Sequence, residues 1–329
     1  MSTKGVKIRM GAAVSILILS TLVVSFLSVS LASAHGTHQP RTWHAEVAVE
    51  SQNHAIQGMA FLPGVLWINV GDTVVWTVKS GEIHTVTFLK PGQTLPPFNP
   101  ADPLQALPQG GSVYDGVSYF NSGIMSSFPF VPPPPGGKTY KLTFGVTGDF
   151  IYHCLVHPSM IAIIHVRPAG TPYPFSQEDY NDQISSANQD ILNDGRKLAD
   201  IAEDHSNSHN VTVGIGDGLV SVMRFFPHDI VIHVGDTVKF TNRDTMEPHT
   251  VSFSVGGTFP PTPPGTDFLP FGNPGAFNGS TDLNSGFIGA NPAWFGTTFK
   301  VKFVKAGTYA FFCDLHDYLG MLATIVVKP

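Results

Sequence analysis

The chain has 329 residues, 42% of them apolar and only 13% charged, with 33 Gly and 27 Pro. That length sets a prior of about two domains, and the Gly and Pro content suits short strands and turns better than helical bundles. A formal net charge of −6 with no basic stripe argues against a nucleic-acid binder, and two cysteines exclude a disulfide scaffold. Fourteen histidines beside those two cysteines point towards metal chemistry.

Residues 1–34 read as a signal peptide or membrane anchor. Lys4, Lys7 and Arg9 form a basic start, Met10 to Ala34 carries no charge, and Ala32-Ser33-Ala34 is a small-residue cleavage site. The uncharged run 10–34 is also long enough to span a bilayer, which takes ~20 apolar residues. Cleavage near Ala34 and anchoring both stay open, and either places the remainder outside the cytoplasm, in the periplasm or beyond the cell. Cleavage would leave His35 first, followed by His38 and His44, which read as a polar tail.

The rest of the chain repeats once. Phe61-Leu62-Pro63 and Ile68-Asn69-Val70-Gly71-Asp72-Thr73-Val74 return as Phe225-Phe226-Pro227 and Ile232-His233-Val234-Gly235-Asp236-Thr237-Val238. His84-Thr85-Val86-Thr87-Phe88 returns as His249-Thr250-Val251-Ser252-Phe253, and Asn121-Ser122-Gly123 as Asn284-Ser285-Gly286. In chain order the first copy predicts strands over 65–70 and 73–78, a Pro/Gly/Phe-rich insert over 91–137, and strands over 139–144 and 161–166. A helix is expected over 177–204, with Tyr180, Ile184, Ala187, Ile191, Leu198 and Ile201 on one stripe that Asp194 interrupts. Its acidic excess reads as a solvated face. The second copy repeats the strands, with an insert over 256–296 and a last strand over 322–327. Long inserts of this kind act as lids or coverings. The expectation is an all-β chain: residues 35–168 and 209–329 as tandem Greek-key sandwiches, joined by a short helical linker over 169–208.

Each copy carries the same soft donor set. The first reads Cys154-Leu155-Val156-His157-Pro158-Ser159-Met160, with His84 upstream. The second reads Cys313-Asp314-Leu315-His316, then Met321, with His249 upstream. One thiolate and two imidazoles with a weak axial thioether suit copper in both oxidation states. Cys and the second His share a tight loop, and the first His closes the site from another strand. A single disulfide between Cys154 and Cys313 is the bland alternative, but both occupy equivalent donor positions.

These residues resemble the blue copper (cupredoxin) family over nearly all of 45–168 and 210–329. The Cys313 loop has the spacing of plastocyanin, and the Cys154 loop the shorter spacing of amicyanin. The resemblance implies two type 1 coppers per chain, one at His84, Cys154, His157 and Met160, the other at His249, Cys313, His316 and Met321. It implies a single-electron carrier between redox partner proteins associated with a membrane. One departure is Thr85 and Thr250, where plastocyanins usually have Asn after the first histidine; a Thr hydroxyl can still tie the ligand loops together.

Other copper functions leave different signatures. A nitrite-reductase-like enzyme would use His153, next to Cys154, but needs a further histidine where this chain has Leu89. A multicopper oxidase needs His-x-His pairs, and the sequence has none. A copper storage or delivery protein would keep the donors without a tuned potential. The linker histidines His205 and His209 read as solvated polar residues.

Overall fold

The computed structural model describes residues 39–255 and 269–329. The expected signal or anchor segment, His35 and His38 lie outside the described residues, as does 256–268 of the second insert. No described helix is long and apolar enough to cross a membrane.

Each repeat folds through the same pairings. In the first, Thr42–Glu50 runs antiparallel to Ile56–Leu62 and parallel to Thr73–Val78. Ile161–Arg167 lies between Val65–Asn69, parallel, and Gly148–His153, antiparallel. In the second, Asn210–Gly216 pairs with Val220–Phe226 and Thr237–Asp244 in the same senses. Leu322–Lys328 pairs likewise with Asp229–His233 and Gly307–Phe312. Alternating strands such as Thr73–Val78 turn every second residue inward. Trp43, Trp76, Phe88, Phe144 and Tyr152 fill one core. Phe225, Phe240, Phe253, Phe303 and Phe311 fill the other. The fold is all-β with a cupredoxin-like pattern of pairing, as the sequence predicts.

The two sandwiches are not beads on a linker. Val220–Phe226 pairs antiparallel with Ile56–Leu62, so one sheet of nine strands runs through both. Each of these strands would otherwise be a bare sheet edge, with unpaired N–H and C=O groups open to other chains. The register is Ile56↔Val222, Gln57↔Ser221 and Gly58↔Val220. The repeat makes Gln57 and Ser221 equivalent positions, so the strands meet about a local two-fold, the self-complementary arrangement of a symmetric dimer.

The helix forms over Gln177–Asp204, as expected, and Ser176 with Asp179 closes a capping box at its start. It spans 28 residues and lies across the seam rather than on one sandwich. Tyr180, Ile184 and Ile191 are buried as the stripe predicts, but Ile201 is 45% exposed and Ala202 is buried instead. Past Asp194 the buried line moves to Gly195 and Ala202, because the helix must come close to the seam there. A Cβ on Gly195 would lie 2.2 Å from Ile56 Cγ2 and 3.1 Å from Val220 Cγ1, one residue from each sandwich.

Alanine raises intrinsic helix propensity by about 1 kcal/mol over glycine, so Gly195→Ala would stabilise an exposed helix. Here overpacking, typically about 1–3 kcal/mol, is expected to win, and the variant to melt at a lower temperature than the parent. A raised Tm would mean that the helix does not clamp the seam.

Candidate metal site

Two buried triangles of donor atoms stand out among the described residues: His84, Cys154 and His157, and His249, Cys313 and His316. In the first, Cys154 Sγ is 3.9 Å from His84 Nδ1 and 3.6 Å from His157 Nδ1, and the two Nδ1 atoms are 3.1 Å apart. The matching distances in the second are 3.7, 3.5 and 3.0 Å. Bonds of about 2.0–2.3 Å from N and S donors to a first-row metal give edges of this order. Both cysteines are free thiols, which removes the disulfide alternative.

The sequence places each donor through a local device. Backbone hydrogen bonds to Met125 hold His84 in an isolated bridge, and bonds to Ile288 hold His249, so each insert pins the upstream histidine. Cys and the second histidine sit on a loop closed by Cys154 N–H to Met160 O, 3.0 Å, and Met160 N–H to His157 O, 2.9 Å. The second loop uses Cys313 to Met321 and Met321 to His316 in the same way. Met160 and Met321 are buried in the two cores beside the cysteines. The Thr hydroxyls tie the loops as anticipated: Leu155 N–H donates to Thr85 Oγ1 and Asp314 N–H to Thr250 Oγ1, each at 2.8 Å. The Thr85 and Thr250 amides each donate to the cysteine sulfur at 3.4 Å, and at Cys154 this bond helps to lower the thiol pKa.

The donor set fits a soft metal. His84 Nε2 and His249 Nε2 are buried without a hydrogen-bond partner, leaving Nδ1, aimed at sulfur, as the only polar outlet of each ring. Burial, then the facing His157, holds His84 well below the usual histidine range. Burial and His316 do the same to His249. Burial also opposes charge on His157, but Glu247 and then Cys154 outweigh it and raise its pKa well above the usual value. His316, against the same burial penalty, is pushed up to about 9 by Cys313 and Glu82. Burial raises the Cys154 thiol, and its hydrogen bond and charge interaction with His157 more than reverse this.

The sequence reading did not single out Glu82 and Glu247. His157 Nε2 lies 3.2 Å from Glu247 Oε1, in ion-pair range though not aligned as a hydrogen bond. His316 Nε2 lies 3.5 Å from Glu82 Oε2. A cavity of about 840 Å³ lies between the two ligand loops, lined by Phe98, Phe130, Phe287 and Trp294 as well as both glutamates. The available signal was positional: each glutamate stands two residues before an upstream histidine, as Glu82-Ile83-His84 and Glu247-Pro248-His249. His153 is half-buried and belongs to neither triangle. Among the remaining histidines, His44 is exposed, His205 bonds Ile201 O, and His209 contacts Asp236.

A bulge separates Val213 from Ile215 and turns Gly214 to φ +70° against the His249 ring. A Cβ there would lie 2.1 Å from His249 Nε2. Gly214→Ala should therefore displace His249 as well as incur left-handed strain of about 1–2 kcal/mol. Metal titration should find weaker binding at the Cys313 triangle and none of that loss at Cys154; equal loss at both would contradict the local account.

The metal-free chain has a second, pH-dependent signature. His84 and His249 remain neutral when folded but protonate near 6.5 when unfolded, so their contribution to stability is lost as pH falls below that value. His157 and His316 hold their protons more tightly folded, so their contribution is full below about 6.5 and lost as pH rises, for His316 through about 9. The histidine contribution thus peaks near pH 6.5. Histidine titrations of the metal-free chain by NMR should find His316 charged up to about pH 9; a midpoint at or below 6.5 would reverse the sign.

Comparison with known proteins places this arrangement. The model of the copper-binding proteins of the plastocyanin/azurin family matches residues 209–328. Plastocyanin of Capsella bursa-pastoris is 32% identical over 118 residues, which is 36% of this chain and 98% of that protein. Plastocyanin of Scenedesmus fuscus is 30% identical over 120 residues, 36% of this chain and all of that protein. The structure of oxidised plastocyanin from Dryopteris crassirhizoma aligns with 36% of this chain and 99% of its own, at 23% identity and a TM-score of 0.24.

Proposed function

The chain belongs to the plastocyanin/azurin family of copper-binding proteins, and from that premise we propose that it carries single electrons through one type 1 copper in each of two cupredoxin domains. The domains are 35–168 and 209–329, with 169–208 as the helical segment between them. The observation that carries the proposal is the pair of matching His–Cys–His triangles, both fully buried. His84, Cys154 and His157 would hold one copper and His249, Cys313 and His316 the other, with Met160 and Met321 as axial thioethers. Copper in such a donor set supplies one-electron chemistry between Cu(I) and Cu(II).

The protein's own residues do the holding. The Thr85 and Thr250 hydroxyls lock each ligand loop to the upstream strand, and their amides donate to the sulfurs of Cys154 and Cys313. A site fixed this way leaves the donors little freedom to rearrange on oxidation. Burial of both triangles supports carriage over catalysis, because a substrate would need an open coordination position. The outer edges of His157 and His316 are each only 2% exposed and face the region between the sandwiches. That placement favours electron exchange within the chain over two independent contacts. The partners are redox proteins, and the basic start and uncharged run of residues 1–34 support export and a membrane-side location.

The test is to load the chain with Cu(II), count the copper, and record optical and EPR spectra. Two coppers per chain, an intense thiolate band and narrow hyperfine splitting are expected. Cys154→Ser and Cys313→Ser should each remove one blue site and leave the other. A third, colourless copper would favour the enzyme alternative, with His153 the first residue to substitute. Two coppers without a thiolate band would favour storage or delivery.

A further inference from the structure

The two glutamates are crossed. Glu82 stands two residues before His84, yet its carboxylate lies against His316 of the other sandwich. Glu247 stands two residues before His249, yet its carboxylate lies against His157. All four side chains are buried, Glu82 at 5% and Glu247 at 6% exposed. We propose that Glu247 is a positioning residue for the Cys154 site and Glu82 for the Cys313 site, so that each metal site is completed by the opposite sandwich. This rests on the copper reading of both triangles.

Three observations support the crossing. First, it follows from the seam. Strands meeting about a local two-fold bring equivalent loops face to face, and a contact from one side must then recur from the other. Second, both glutamates are anchored by buried bonds to their backbones, and the Glu82 carboxylate also accepts from Tyr318. Ser80 Oγ accepts the Glu82 N–H at 2.9 Å and donates to Gln57 Oε1, on the seam strand, at 2.6 Å. Tyr318 Oη donates to Glu82 Oε2 at 3.3 Å, and its ring packs against Phe128 and Phe130 of the first insert. Asp244 Oδ1 accepts the Glu247 N–H at 2.8 Å, and Asn242 Nδ2 donates to Glu247 O at 2.9 Å. Third, the upstream ligands lack this feature: among the described residues His84 Nε2 and His249 Nε2 have neither a hydrogen bond nor an ion pair, whereas His157 Nε2, also without an aligned hydrogen bond, has Glu247 Oε1 at 3.2 Å. Within each triangle only the ring supplied by the ligand loop carries an outer carboxylate. An outer partner of this kind fixes ring orientation and raises ligand basicity, and its loss typically costs about 10–100-fold in metal affinity.

The crossing also joins the sites twice. From His249 the chain runs through Pro248 to Glu247, and one polar contact reaches His157. From His84 it runs through Ile83 to Glu82, and one contact reaches His316. Each route is three residues and a single gap.

The experiment uses full-length single-site chains. Cys313→Ser retains the Cys154 site, and Cys154→Ser retains the Cys313 site. In the first, Glu247→Ala should weaken copper binding about 10–100-fold and shift the reduction potential, while Glu82→Ala leaves both within about twofold. In the second, the two glutamates should exchange roles. Gln in place of Ala keeps an acceptor for the ring N–H and should recover part of the loss, which a generally loosened fold would not. Each glutamate acting on the site of its own sandwich, equal loss at both sites, or no effect at either would overturn the proposal. A metal-free readout separates this failure from failure of the copper reading. In the histidine-labelled full chain, the His157 Nε2 resonance should move with Glu247→Ala and the His316 Nε2 resonance with Glu82→Ala. If neither single-site parent shows a thiolate band, the copper reading falls and the resonances still decide whether the contacts are crossed.

Discussion

Three residue pairs across one seam organise this protein. Ile56, Gln57 and Gly58 pair with Val222, Ser221 and Val220, and the pairing turns two edge strands into the middle of a nine-stranded sheet. The equivalence of Gln57 and Ser221 makes the join self-complementary. Everything else between the sandwiches must obey that local two-fold. The helix over Gln177–Asp204 then covers the join with one apolar line, and Val49, Ile184, Ile191, Ile215 and Phe226 close a third core beneath it. The seam reaches the functional residues directly, since Gln57 on the seam strand bonds Ser80, which bonds the Glu82 amide.

The donor triangles are held in place by the chain's own strands, loops and threonine ties. Each upstream histidine is neutral and stripped of alternative partners, while each loop histidine is charged and paired with both sulfur and a carboxylate. The cost is three polar side chains buried at close quarters, which folding tolerates only because strands, inserts and threonine ties fix their separation. A metal bound at either triangle would displace the protons that hold the loop histidines in this state, which would link affinity to acidity.

Much of this was legible in the chain itself. The strands over Thr73–Val78 and Thr139–Phe144 and the helix over Gln177–Asp204 follow the expected bounds, because period-two and heptad-like patterns reflect local burial. The six His and Cys donors of the two triangles were visible because the repeat presents each of them twice at the same place. Ile201 was misplaced for a physical reason: its apolar stripe continues in phase, but the close approach at Gly195 turns the buried face by one residue to Ala202. Glu82 and Glu247 were visible as a repeated Glu-x-His, but their role was not. The partner of Glu82 lies 234 residues ahead and that of Glu247 lies 90 residues behind, far more than any local pattern encodes, through a seam of two strands that periodicity alone cannot pair.

The self-complementary join gives the helical segment a task beyond covering apolar surface. Either repeat offers a copy of itself the same edge it offers its neighbour, so separate halves would have a choice of mates: like with like, or like with unlike. Tethering removes that choice. With both edges on one chain, the unlike mate is present at an effective concentration in the millimolar range or above, as for short linkers generally, and a second molecule cannot compete at ordinary protein levels. The segment between the repeats is thus a pairing rule written in covalent bonds: it lets two near-identical edges meet once, inside the molecule, and withdraws both from chain-to-chain association.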